Sequence, residues 1–199
     1  MWVLVCVAEA GKMGLTPIVS SKLHTFLYLA NTLAELFGLS SVRGRILKHG
    51  SSPFFPDIQR LIDYLAFSGV LSINKVDYGP KGYLSAHYSL GKSGREIYDS
   101  LLTHSDDARR TANLFRELIP ACSNQVLAMR SDIGPIDANY GNDAVQEGEI
   151  VDFDEWSRDN NNMKLTNYLV DEIKALRPNK ERDGVRLYCN YLSTAMELI

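Results

Sequence analysis

The sequence predicts a mainly α-helical protein with a small β-wing, an α+β fold. A winged helix-turn-helix core is followed by a C-terminal helical extension. Three observations lead there. Ile58, Leu61, Ile62 and Leu65 recur at helical spacing behind Pro56-Asp57, a good helix start, and Gly69 closes the helix. Two β-prone runs, Val70–Ile73 and Tyr83–Tyr88, flank Gly79-Pro80-Lys81-Gly82, where proline fixes φ and glycine admits positive φ. Another helix opens at Ser93 or Gly94. Helix, strand, turn, strand, helix points to a binding module before it points to an enzyme.

The remaining elements follow in order. Residues 1–37 form two helices broken at Gly11–Pro17, with Pro17 in the first turn of the second and Thr16 as its N-cap. Met1–Ala10 is apolar but lacks a basic leader and is too short for a bilayer, so it reads as a buried helix. Leu23, Phe26, Leu27, Leu29, Ala30, Leu33 and Leu36 make the second helix central. Val42–Leu47 reads as a short connection. Helices follow from about Gly94 to Ser105 and from Asp107 to Met129, with Pro120 a kink or break. Residues 131–162, rich in Asp, Asn and Gly, read as a long loop or linker in which Ile150–Phe153 makes one short strand. Two helices finish the chain, one striped by Leu165, Leu169, Ile173 and Leu176, the other by Val185, Tyr188, Leu192, Ala195, Met196 and Ile199. The expected division is 1–130 helical and winged-helix, 131–162 acidic linker, and 163–199 helical extension.

Charge is unevenly spread. The 131–162 segment holds nine acidic residues and one base, Arg158, so 20 of the 21 bases but only 15 of the 24 acids lie elsewhere. Between Val42 and Arg95 there are eight bases against three acids, Asp57, Asp63 and Asp77. If DNA is touched, Arg43, Arg45, Lys48, Lys75 and Lys81 are expected to hold phosphate. The helix that would read bases exposes Gln59, Arg60, Asp63, Tyr64 and Phe67, a poor set for sequence readout, and Phe67 suits a protein contact. Tyr64, Phe67, Tyr78, Tyr83, Tyr88 and Tyr98 crowd the wing, and half of them are expected in the core. Tyr188, Leu192, Met196 and Ile199 share one face of the last helix and are expected to dock on a partner.

Chemistry-bearing motifs are missing. Gly91-Lys92-Ser93 lacks the first glycine of a phosphate loop, and there is no nucleophile elbow, zinc-protease helix or dinucleotide fingerprint. The four histidines have no metal-ligand spacing, and His24, in an apolar helix, reads as a hydrogen-bonded core or interface residue. Asp106-Asp107 and Asp152, Asp154 and Glu155 read as solvated carboxylates. No metal, cofactor or catalytic residue is expected. Cys6, Cys122 and Cys189 match no disulfide framework, so each reads as a small buried hydrophobe and the compartment as a reducing cytosol.

Two stretches resemble a known family. Val7-Ala8-Glu9-Ala10-Gly11 through Leu15-Thr16-Pro17-Ile18, then Lys48-His49-Gly50, Pro53-Phe54-Phe55-Pro56-Asp57-Ile58 and Phe67-Ser68-Gly69-Val70-Leu71, resemble the phage-associated winged-helix proteins of the YwgA and SocA antitoxin type. Ser89-Leu90-Gly91-Lys92-Ser93-Gly94-Arg95 fits that group's helix start; His49 replaces its usual aromatic, and Ser51-Ser52 interrupt its Gly-Pro step. With its extra C-terminal helices the chain also looks like the small middle component of three-component, Lamassu-type defence operons. That resemblance implies a non-catalytic, cytoplasmic adaptor bridging an SMC- or Rad50-like ATPase and an effector nuclease. A stand-alone winged-helix regulator, or an antitoxin, is the alternative.

Overall fold

A computed structural model describes residues 1–40, 42, 46–49, 52–78, 84–128, 146, 148–151, 168, 171 and 180–197, with backbone alone for 49, 52, 124–128, 150, 151, 180 and 195–197. Helix α1 (Trp2–Lys12) is apolar on every side and accordingly buried from Val3 to Ala10. Helix α2 (Ser20–Thr32) is buried from Leu23 to Thr32. It starts later than the sequence suggests. Pro17 follows a cis peptide bond and precedes strand β1 (Ile18–Val19), so Val19 and not Thr16 is the N-cap.

A 3₁₀ turn (Ala34–Phe37) leads to β2 (Ile46–His49) and β3 (Ser52–Phe54), antiparallel strands where the sequence suggested only a connection. Helix α3 (Pro56–Phe67) has proline in its first turn, as expected, and ends before Gly69 at φ 74°, where a side chain would be strained. Strands β4 (Leu71–Tyr78) and β5 (Leu84–Leu90) form the hairpin, and the turn between them lies outside the described residues. β1 adds to the far side of β5, giving the order β1-β5-β4. Helix α4 (Lys92–His104) crosses to α5 (Asp106–Ala128), which continues through Pro120. The short strand expected in the acidic segment is present as β6 (Ile150–Val151). It pairs with β2 and makes a second small sheet, β3-β2-β6. The fold is thus mainly helical with small antiparallel sheets.

The last helix, α6 (Lys180–Glu197), lies on α5 and the 3₁₀ turn, and Val185, Tyr188, Cys189 and Leu192 belong to the same core as α1 and α2. Cys122 and Cys189 form a disulfide between α5 and α6, which corrects the expectation of three unpaired cysteines. Spacing in sequence cannot see this pair, because 67 residues separate partners that the fold brings together. The inference of a reducing compartment from cysteine spacing loses its basis with it. Cys6 stays a buried thiol, its pKa pushed up by burial. No described helix is long and apolar enough to cross a membrane.

Two tests follow from this packing. A Cβ on Gly94 would sit 2.1 Å from the Val70 carbonyl oxygen, a backbone atom that cannot swing aside. Gly94→Ala is therefore expected to cost about 3 kcal/mol of unfolding free energy in a urea titration. Burying a large apolar side chain stabilises by about 1.5–3 kcal/mol, and whole domains are stable by only about 5–15 kcal/mol. Deleting residues 184–199 removes the buried side chains of α6, so the cooperative thermal transition, followed by circular dichroism, is expected to disappear.

Candidate interaction face on the third helix and the hairpin

Helix α3 is the element that a winged-helix DNA reader would present to the groove, and its polar side chains are already engaged. The His24 imidazole lies buried beside Phe54 and Phe55, stacked at 9° on the latter. Its Nδ1 accepts the Phe55 backbone N–H at 3.4 Å, so the ring proton is on Nε2, which donates to Gln59 Oε1 at 3.0 Å. Gln59 in turn donates from its amide nitrogen to Asp63 Oδ1 at 2.8 Å. Arg60 reaches back one turn to Asp57 at 3.4 Å. Beside the exposed charges of Asp57, Arg60 and Asp63, α3 offers large hydrophobic side chains to solvent: Leu61 is 39% exposed, Tyr64 68% and Phe67 95%. Arg60, Tyr64 and Phe67 are spaced to lie along one face.

The hairpin carries a second exposed surface. Leu71 and Ile73 pair with Leu90 and Tyr88, and a register shift then passes over Asn74, so that Val76 pairs with Ala86 and Tyr78 with Leu84. Adding one residue keeps the apolar side chains on one face where strict alternation would have turned them over. The inner end of that face, Leu71 and Tyr88, is core; at the outer end Ile73, Val76, Tyr78 and Leu84 are about half exposed or more. The opposite face is polar. Lys75 Nζ pairs with Asp77 at 2.8 Å, His87 Nε2 meets the same carboxylate at 3.0 Å, and Ser89 donates to Asn74 at 2.8 Å. Lys75, and after it His87, holds the Asp77 carboxyl below its usual range.

A third constellation is internal. Glu9, 1% exposed, gathers Lys12 at 3.2 Å, Arg116 at 3.1 Å and the Tyr98 hydroxyl, tying α1 to α4 and α5. Burial, and then the bond to Glu9, raises the Tyr98 pKa. Burial pulls the other way on Lys12, but its bonds to Tyr98 and Glu9 win and raise its pKa. A cleft of about 450 Å³ opens above this group between Lys12, Ser89, Arg95 and Tyr98. Glu9 is held between Lys12, Arg116 and the Tyr98 hydroxyl. No three potential metal ligands converge among the described residues.

The residues singled out in the sequence fare unevenly. Arg43, Arg45 and Lys81 lie outside the described residues. Lys48 is half-buried in β2, its backbone paired with Gly148 and Glu149 at 2.8 and 3.0 Å. Lys75 is exposed but already neutralised by Asp77. Tyr188 and Leu192 are 0% and 1% exposed against their own domain, so the expected partner face is internal at these two positions. They satisfy the helix's apolar stripe by packing within the chain. The side chain of Met196, and all of Ile199, lie outside what is described. Of the six aromatics singled out between Tyr64 and Tyr98, Tyr88 and Tyr98 are core, Tyr64, Phe67 and Tyr78 are exposed, and Tyr83 lies outside the described residues. Glu9 was not found from sequence, although a lone acid inside an apolar run was the available signal. Compared with known proteins, the chain matches no family model, no curated protein and no solved structure.

His24 gives this region a pH signature. Burial holds its pKa below the ordinary 6.5, outweighing the Gln59 bond. Protonation would also place an N–H at Nδ1 against the Phe55 N–H. The unfolded chain therefore binds the proton first, so stability is full above about pH 6.5 and falls as pH drops towards the folded pKa. Urea titrations between about pH 7 and pH 5 are expected to show that decline, and His24→Gln to flatten it.

Proposed function

We propose that the protein is a non-catalytic winged-helix adaptor whose α3 face docks on a partner protein. The observation that carries this reading is the solvent face of α3. Its amide is held between His24 and Asp63 and its guanidinium makes a long surface pair with Asp57, while Tyr64 and Phe67 stand free. Base readout needs polar groups free to meet base edges; exposed aromatics are the residues that anchor protein interfaces. The winged-helix assignment is supported by α3 leading into the β4–β5 hairpin with β1 closing the sheet.

The family resemblance supplies the partner class: an SMC- or Rad50-like ATPase and an effector nuclease of a bacterial anti-phage system, in the cytoplasm. DNA contact, in this reading, is a weak phosphate interaction through Arg43, Arg45, Lys48 and Lys81, with Lys75 contributing less because Asp77 neutralises it.

The test combines co-purification and DNA titration. Tagged protein is expected to retain the ATPase of its own operon, and Tyr64→Ala with Phe67→Ala to weaken that association by about a hundredfold, as loss of two interface anchors does. Duplex binding is expected to be weak and to fall steeply with salt for all sequences alike. A sequence-specific footprint unaffected by the aromatic substitutions would replace this reading with the stand-alone regulator.

A further inference from the structure

Strand β4 is the open edge of its sheet. It has β5 on one side and, among the described residues, no strand on the other. It is eight residues long, and Ser72 to Val76 are all exposed. In an antiparallel ladder every second residue turns its N–H and C=O to the open side, so this edge offers a row of backbone groups with no partner strand among the described residues. Proteins commonly discourage such pairing with a charge on the edge strand. Here the charges come as a pair, Lys75 and Asp77, placed symmetrically about Val76 on the same face.

That symmetry specifies an occupant. Two β4 strands laid antiparallel about a two-fold axis at Val76 set Lys75 of each copy opposite Asp77 of the other. The arrangement is self-complementary, as a two-fold interface requires. An axis perpendicular to the sheet keeps the two apolar faces on one side. Val76 then meets its own counterpart, and Tyr78 of one copy, 83% exposed in the single chain, approaches Ile73 of the other, 54% exposed. We infer that a second copy of this chain pairs with the β4 edge, making a continuous sheet of order β1-β5-β4-β4-β5-β1. This inference does not rest on the α3 docking face. Tyr64 and Phe67 belong to another element, so separate variants test the two.

Sedimentation equilibrium of the full chain is expected to give a reversible dimer, twice the 22.3 kDa chain mass. Lys75→Glu and Asp77→Lys, each creating two like-charge contacts, are expected to weaken it by about tenfold. The charge-swapped double variant, Lys75→Asp with Asp77→Lys, is expected to restore it to within about threefold. Both side chains reach solvent, at 64% and 41% exposure, and an unchanged thermal transition verifies that each variant folds. A wild-type chain that stays at monomer mass overturns the inference and leaves the edge to a different protein or to solvent. A dimer indifferent to the single substitutions, or not rescued by the swap, overturns it by placing the contact elsewhere.

Discussion

Helices α1 and α2 are buried along most of their length, and the other elements are placed by the need to keep them from water. The β1-β5-β4 sheet, α5 and the 3₁₀ turn each cover part of them, and α6 closes over α5. The one buried charge of α1, Glu9, would be intolerable in such a site without partners. It draws Arg116 from α5 and Tyr98 from α4 to the same point. One carboxylate thereby fixes the relative position of three helices, and through α4 the place where the hairpin leaves the body of the protein.

Much of this was legible in the sequence, and where it was not the reasons are physical. The helices α3 and α4, the hairpin and the short β6 could be read locally because turn chemistry and periodicity are properties of neighbouring residues. The β2–β3 pair was missed because Gly50, Ser51 and Pro53 mask its alternation, and because a strand of three residues is defined by its partner more than by itself. Pro17 reads as a helix opener, but tertiary structure uses it to enter a strand. The C-terminal stripe of Tyr188 and Leu192 was correctly seen as needing cover. Periodicity says that a face is buried and does not say by whom, and α5 lies some seventy positions upstream.

The candidate face was half legible for the same reason. Gln59 and Arg60 are visible in the sequence as surface polar residues of α3. That both are occupied depends on His24, which arrives from α2, and on Asp57 and Asp63 one turn away. Subtracting those contacts leaves Tyr64 and Phe67 as the most exposed large hydrophobic side chains of α3. The basic residues between Val42 and Arg95 undergo a similar subtraction, since Lys75 is held by Asp77 and Lys48 is drawn into the β3-β2-β6 sheet.

The extra residue at Asn74 divides the hairpin into two stretches whose side-chain alternation is set independently. The first stretch is anchored in the core at Leu71, and the stretch from Lys75 to Tyr78 lies mostly in solvent. Sequence drift in the distal half therefore leaves the proximal half in phase. New outer surfaces can thus be set on the distal half while Leu71 and Tyr88 stay seated in the core.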